Sequence, residues 1–105
     1  MSDIKVSVTF RHTEPTDALK RYVEQKIHRI GKYFSNTLDA HVILAVESKD
    51  CQVAEVDLHA HGTVIHGREQ NPDLYAAIDL AMDKIQRQIK KKKEKIKLNR
   101  RRSIA

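Results

Sequence analysis

The sequence predicts an α+β fold: a single β-α-β-β-β-α domain in which a four-stranded mixed sheet carries two helices on one face. The chain has 105 residues, which is enough for one domain. Period-two alternation and β-branched content indicate strands, and two segments have apolar residues at helical spacing. One face of such a sheet must be covered, and two amphipathic helices can cover it. We expect a right-handed first crossover, with the first two strands parallel and the others antiparallel.

The first part of the chain predicts a strand followed by a helix. Residues 4–11 alternate apolar and polar side chains and are rich in β-branched residues, which is typical of a half-buried strand. Thr16 is expected to be the N-cap of the helix, with Asp17 in its first turn, where the helix dipole favours a negative charge. Apolar residues at steps of three and four then predict a helix over residues 17–34.

Three further strands are predicted in the middle of the chain, joined by short connections. They cover residues 40–47, 53–61 and 64–68. A turn is expected at residues 48–52. The third strand alternates clearly, and its polar members are expected on the open face of the sheet: Glu55, Asp57, His59 and His61.

The last helix has the clearest start signal in the chain. Asn71 is expected to be its N-cap and Pro72 its first helical residue. Its apolar seam is predicted at Tyr75, Ile78, Met82, Ile85 and Ile89. The seam fails at Lys92, so we expect the helix to pack on the sheet up to about residue 89 and to overhang beyond it. Residues 100–105 are expected to be frayed.

Positive charge is concentrated at the end of the chain. Residues 1–83 carry 9 basic and 13 acidic side chains, a net charge of −4, whereas residues 84–105 carry 11 basic side chains and one acid, a net charge of +10. Such a block indicates a polyanionic partner, either nucleic acid or an anionic membrane surface. The apolar side of the overhang offers only Ile96 and Leu98, too little for stable membrane insertion, which favours nucleic acid.

The basic residues of both helices fall away from the predicted core. The last helix has a stripe roughly 16 Å long at a rise of about 1.5 Å per residue. It consists of Lys84, Arg87, Lys91 and Lys95, with Lys90 on one edge. The first helix has a weaker set: Arg21, Lys26, Arg29 and Lys32. Because a rigid row of cations can meet several backbone phosphates at once, we expect the two helices together to form an RNA-binding surface.

The aromatic residues argue against stacking on single-stranded bases. Phe10, Phe34 and Tyr75 occupy predicted core positions, and Tyr22 and Tyr33 are expected to pack at the edges of the basic surface. Stacking platforms use exposed rings on a sheet face, and the open face is predicted to have none. Recognition of phosphates and of RNA shape is therefore favoured.

Little in the sequence indicates catalysis or metal binding. His59, His61 and His66 could converge across two strands as a metal half-site, although neighbouring acids could equally pair with them. The single cysteine, Cys51, has no established base beside it and excludes an intrachain disulfide. We expect no enzymatic activity, no cofactor, no metal and no small-molecule substrate.

Neither a secretory signal nor an apolar run approaching ~20 residues is present, so the expected compartment is the cytoplasm.

Two segments carry a resemblance to a known family. Residues 71–91 (NPDLYAAIDLAMDKIQRQIKK) open the last helix, and residues 18–34 (ALKRYVEQKIHRIGKYF) form the first. Together, in this strand order, they resemble the bacterial ribosome hibernation-promoting factors, also called protein Y or ribosome-associated translation inhibitors. The most specific pattern lies in the last helix: Asp73, Tyr75, Ala77 and Ile78, followed by Lys84, Arg87 and Gln88.

The resemblance implies a fold similar in shape to a double-stranded-RNA-binding domain. It covers about residues 3–97, within an expected ribosome-binding domain over residues 1–98, and we expect a basic flexible tail over residues 99–105. It also implies binding to 16S rRNA on the 30S subunit over the mRNA and tRNA channel, which blocks translation and stabilises inactive 70S or 100S ribosomes. The family's rRNA-facing cations correspond to Lys20, Lys26, Arg29, Lys32, Lys84, Arg87, Lys91 and Lys95.

The chain departs from two branches of the family. Arg100, Arg101 and Arg102 stand where one branch has an acidic tail, and no part of the sequence corresponds to the dimerisation domain of the long branch, so we expect the short form. Short forms that dimerise ribosomes are thought to need a partner protein, which leaves 70S and 100S outcomes open. A general module that binds structured RNA away from the ribosome shares the same basic surface and remains an alternative.

Overall fold

The computed structural model describes the backbone of residues 4–31, 38–60 and 63–104, and the side chains of these ranges except residues 38, 60 and 92–104. Its elements follow the order β-α-β-β-β-α, which confirms the predicted fold class. The strands are β1 (Ile4–Arg11), β2 (Leu38–Ser48), β3 (Cys51–Ala60) and β4 (Thr63–Asn71). The helices are α1 (Asp17–Gly31) and α2 (Leu74–Ile104).

The four strands form one mixed sheet in the order β1-β2-β3-β4. As predicted, β1 pairs with β2 in parallel, and the β2–β3 and β3–β4 pairs are antiparallel. The register aligns Val8 with Val42, Val42 with Val56 and Val56 with Gly67. This row crosses the face that the helices cover, and its members in β2 and β3 are almost fully buried.

Three strands, β2, β3 and β4, extend into segments that were predicted to be turn or loop. The turn predicted at residues 48–52 contains only Lys49 and Asp50, since Ser48 already pairs with Cys51 across the hairpin. β4 runs three residues past its predicted end to Asn71, which pairs with Gln52 of β3. Cross-strand pairing therefore extends these strands into the polar segments between them. His61, predicted to end the third strand, lies outside the described residues.

Both helices pack on the same face of the sheet, α1 over β1 and β2 and α2 over β3 and β4. Their buried side chains form one cluster with those of β2, β3 and β4. α2 approaches β4 so closely at Gly67 that an added Cβ would lie 2.9 Å from the carbonyl oxygen of Ala81 and 3.3 Å from the Ile85 side chain. Only glycine fits there without displacing the helix, and this contact fixes the height of α2 above the sheet.

The N-cap of α1 was predicted correctly, but that of α2 was not. Thr16 Oγ1 accepts the Leu19 N–H at 3.2 Å, as expected for a capping threonine. In α2, the cap is Asp73 rather than Asn71, because Asp73 Oδ1 accepts the Tyr75 N–H at 3.0 Å and its carbonyl accepts the Ala77 N–H at 3.0 Å. Asn71 instead ends β4, and Pro72 precedes the helix rather than opening it.

The apolar seam of α2 is confirmed from Ile78 to Ile89 but not at Tyr75. Tyr75 is 40% exposed, and Leu74, 6% exposed, takes the buried position at the start of the helix. The predicted failure of the seam at Lys92 lies outside the described side chains. The predicted division of the chain at residue 98 remains a prediction. The backbone of α2 is helical to Ile104, and so continues into residues that were expected to be frayed. Neither helix of the described residues is long and apolar enough to cross a membrane.

Candidate nucleic-acid interface

The two helices lie side by side and contact each other, as the predicted RNA-binding surface requires. Leu19, Val23, Ile27 and Ile30 hold α1 on the sheet and leave its polar side chains facing away from the core. Lys20, Arg21 and Arg29 are exposed, and Lys26 is half-buried at the junction with α2. The described cations of α1 therefore lie on the outer side of the helical layer, or at its seam.

The junction between the helices is built around Asp79 of α2. Its Oδ1 accepts the Tyr22 hydroxyl at 2.5 Å and lies 3.3 Å from Lys26 Nζ. Lys26 Nζ is also 5.4 Å from the centroid of the Tyr22 ring, within range of a cation–π contact. One of the predicted RNA-binding cations is thus engaged by an acid of the same chain.

The phenol of Tyr22 is held in its protonated form. The hydrogen bond to Asp79, followed by burial, raises its pKa from 10.0 to about 12, and the nearby Arg29 opposes this rise. The hydroxyl therefore remains a hydrogen-bond donor to Asp79 at physiological pH. Arg29 is itself exposed on α1, seven residues after Tyr22.

Lys84 lies on the opposite flank of α2, along the edge strand β4. Its Nζ pairs with Glu69 Oε1 at 2.7 Å and donates to the Arg68 carbonyl at 3.2 Å. One turn further on, Gln88 Nε2 donates to the His66 carbonyl at 2.8 Å. These side chains tie α2 to the outer edge of the sheet, so Lys84 also has a structural role.

The remaining described cations of α2 are Arg87, Lys90 and Lys91, and all are exposed. Within the described part of the chain, no acidic group pairs with them. Lys32 lies outside the described residues, as does the side chain of Lys95. The assignment of these positions to RNA binding remains a prediction, which the side-by-side helices make geometrically possible.

The aromatic side chains depart from the prediction at one position. Tyr75, placed in the core from its spacing, meets Tyr22 edge to face at the surface, with ring centroids 5.0 Å apart. Its exposure could have been foreseen only from the true start of the helix, which makes Leu74 the buried residue. Phe10 is partly buried against the core as expected, and residues 33 and 34 lie outside the described part.

The open face of the sheet carries histidines and acids but little that could hold a metal. His66 Nδ1 bonds to Asp57, and its Nε2 lies 3.9 Å from Glu55. His41 and His59 meet edge to face with centroids 5.7 Å apart. Among the described residues there is no group of three or more potential ligands placed to hold an ion, and His61 lies outside them. This face is also not wholly polar, because the cross-strand partners Ala45 and Val53 are 6% and 4% exposed.

Comparison with known proteins supports the predicted resemblance. The family described as sigma 54 modulation protein / S30EA ribosomal protein matches residues 6–97. The ribosome hibernation promoting factor of Azotobacter vinelandii is 40% identical over 92 residues, covering 88% of this chain and 85% of the relative. That of Escherichia coli (strain K12) is 35% identical over 94 residues, covering 90% and 98%. A longer relative from Picosynechococcus sp. is 37% identical, and the matched region spans 50% of it.

Solved structures show the same fold. The N-terminal domain of Thermus thermophilus Protein Y superposes with a TM-score of 0.75 at 36% identity, covering 85% of this chain and 97% of that one. A ribosomal subunit interface protein from Coxiella burnetii gives a TM-score of 0.73 at 25% identity, covering 86% and 98%. The chain therefore belongs to the sigma 54 modulation protein / S30EA ribosomal protein family, the family of the ribosome hibernation promoting factors.

Proposed function

We propose that this protein is a ribosome hibernation factor that binds 16S rRNA on the 30S subunit, over the channel for mRNA and tRNAs. By occupying that channel it blocks translation and stabilises inactive 70S or 100S ribosomes in the cytoplasm. The observation that carries the proposal is the joint basic surface, because α1 and α2 lie side by side with exposed cations in the outer layer of a fold shared with hibernation factors. The names of those relatives, and of the Coxiella burnetii subunit interface protein, support a ribosomal partner.

The binding mechanism is electrostatic and needs no chemical step. Arg87, Lys90 and Lys91 stand on one rigid helix, so ordering them costs little backbone entropy when they meet phosphates. Arg21 and Arg29 extend the positive surface across α1. Each phosphate neutralised releases counterions, so affinity should fall steeply with salt. A domain held in this way excludes mRNA and tRNA by its volume, and it requires neither a cofactor nor a small-molecule substrate.

A charge-reversal experiment tests the location of this surface. We expect Arg87→Glu with Lys91→Glu to release the protein from 30S and 70S particles in sucrose gradients and to lower the log–log salt slope by about two. The matched control is Lys5→Glu with Arg11→Glu, which makes the same change in net charge at exposed positions on the open face of the sheet. Equal losses in both variants, at unchanged circular dichroism, would contradict the assignment to the helical face.

A second candidate is a general module that binds structured RNA away from the ribosome. It is favoured by the type of contact available, because exposed cations bind phosphates and carry no information on base identity. Competition between 30S subunits and an arbitrary RNA duplex separates the two functions. We expect the protein to bind 30S subunits far more tightly than the duplex, whereas equal affinities would favour the general module.

A displacement experiment tests the proposed location on the ribosome. Excess initiator tRNA and mRNA should displace a hibernation factor from ribosomes. Whether it acts with a partner protein to form 100S particles can be read from the same gradients.

A further inference from the structure

Tyr75 is an exposed aromatic ring in the helical layer, on the same side of the sheet as the candidate RNA-binding cations. It lies in the first turn of α2 and is 40% exposed. Its ring and that of Tyr22 meet at an interplanar angle of 74° with centroids 5.0 Å apart. In this geometry the edge of one ring meets the face of the other, and the pair still leaves much of Tyr75 open to solvent.

The ring pair is held in place by contacts within the protein. The Tyr75 N–H donates to Asp73 Oδ1 at 3.0 Å, which fixes its backbone at the helix start. The Tyr22 hydroxyl donates to Asp79 at 2.5 Å, and Lys26 packs near the Tyr22 ring. A ring fixed in this way loses little conformational freedom when it meets a ligand, which makes it a preorganised binding surface.

The charges around the rings indicate which part of an RNA could meet them. Asp73 and Asp79 lie beside the ring pair, and a phosphate placed there would be repelled. A nucleobase has no formal charge and stacks well on an aromatic ring. Arg21 and Arg29 are exposed on α1, where they can attract phosphates of the same RNA.

We propose that Tyr75 is a stacking platform for one unpaired nucleobase of the bound RNA, an inference that rests on the RNA-binding function proposed above. The ring takes the face of the base, and cations of α1 hold the neighbouring phosphates. Stacking tolerates any base identity, because every base has a π face. The platform adds what a row of cations lacks, a preference for folded RNA with an unpaired base next to a helix over uninterrupted duplex.

A tryptophan reporter tests the contact directly, because the natural chain contains no tryptophan. We expect the fluorescence of Tyr75→Trp to be strongly quenched when the protein binds 30S subunits, since a stacked base quenches an indole ring. The matched control is Val64→Trp, which lies on the open face of the sheet, away from the helices, and is 55% exposed in the native chain. Its emission should change little. Co-sedimentation of Tyr75→Trp without quenching, or a blue shift with brighter emission typical of a protein contact, would overturn the proposal.

Affinity measurements give a second and independent test. We expect Tyr75→Leu, which keeps an apolar side chain but loses the ring, to weaken 30S binding on the order of 10-fold. Tyr75→Phe should bind nearly as tightly as the native protein. The salt slope should be unchanged in both, because no phosphate contact is removed. Native affinity in Tyr75→Leu at intact fold would sink the stacking role while leaving the proposed function standing. If the native protein itself fails to bind ribosomes, both proposals fail together.

Discussion

The two flanks of α2 make contacts of different kinds. On the flank facing α1, the carboxylate of Asp79 accepts a hydrogen bond from the Tyr22 hydroxyl and pairs with the Lys26 ammonium. These contacts join one helix to the other. On the flank along β4, the ammonium of Lys84 meets Glu69 and a backbone carbonyl, and so joins the helix to the sheet. Lys26 and Lys84 are therefore already paired with acids of the same protein, which a helical wheel does not show.

Three other cations of α2 differ from these two lysines. Arg87, Lys90 and Lys91 are exposed and have no acidic partner in the part of the chain that the structure describes. A phosphate can meet them without displacing anything but water and counterions. The charge available to RNA is therefore smaller than the number of basic residues, and its location depends on acids elsewhere in the fold.

The largest effect on this arrangement is expected from Gly67→Ala, which attacks the β4 flank. The new Cβ would lie 2.9 Å from the carbonyl oxygen of Ala81, so α2 or β4 must move. We expect a loss of about 1–3 kcal/mol in the free energy of unfolding, measured by urea denaturation. Val64→Ala on the same strand, at a side chain that is 55% exposed, serves as control and should change stability by less than about 0.5 kcal/mol. An unchanged free energy of unfolding in Gly67→Ala would mean that α2 is not held at a fixed distance from β4.

A smaller effect is expected from Tyr22→Phe, which weakens the flank facing α1. Loss of the hydrogen bond to Asp79 should cost about 1 kcal/mol near neutral pH. The pKa of Tyr22 is raised from 10.0 to about 12, chiefly by that hydrogen bond. Because the folded-state pKa is the higher one, the stabilisation is complete below pH 10 and is lost as the pH rises through about 12. Urea midpoints of the two proteins should therefore converge over this range, and a constant difference would contradict the assignment.

The smallest effect is expected from replacing single cations of α2, one that is paired with an acid and one that is not. Arg87→Gln should lower the log–log salt slope of ribosome binding by about one. Lys84→Gln should lower it by less, because a phosphate must compete with Glu69 and the Arg68 carbonyl for that ammonium. Its cost in stability should be at most about 1 kcal/mol, as for other partly exposed ion pairs. Equal slope changes in the two variants would show that the ion pair does not limit the lysine.

Local patterns predicted most of the fold. The side-chain period identified every strand and helix, and the capping preference of Thr16 identified the start of α1. The error at α2 has a local cause as well, because Asn71 and Pro72 form a strong start signal. Pairing of Asn71 with Gln52 of β3 overrides that signal, and moves the start of the helix to Asp73.

The misplacement of Tyr75 follows from the same shift in the helix start. Helical spacing alone places it on the seam with Ile78 and Met82, but Leu74 fills the buried position. The partners of the lysines were not predictable, because Asp79 for Lys26 and Glu69 for Lys84 come from other elements. Sequence reasoning located the cations on the helices, but only the three-dimensional packing shows which of them are engaged.

The hydrogen bonds from Lys84 and Gln88 to β4 also bear on solubility. They occupy two backbone carbonyl groups of β4, which is an edge strand. Unoccupied carbonyl groups on an edge strand can pair with the backbone of another chain. The same helix that presents cations to a polyanion therefore shields the sheet from growing by the addition of foreign strands. A variant that neutralises the whole basic stripe removes part of this shield, so we expect it to self-associate more readily than the native protein.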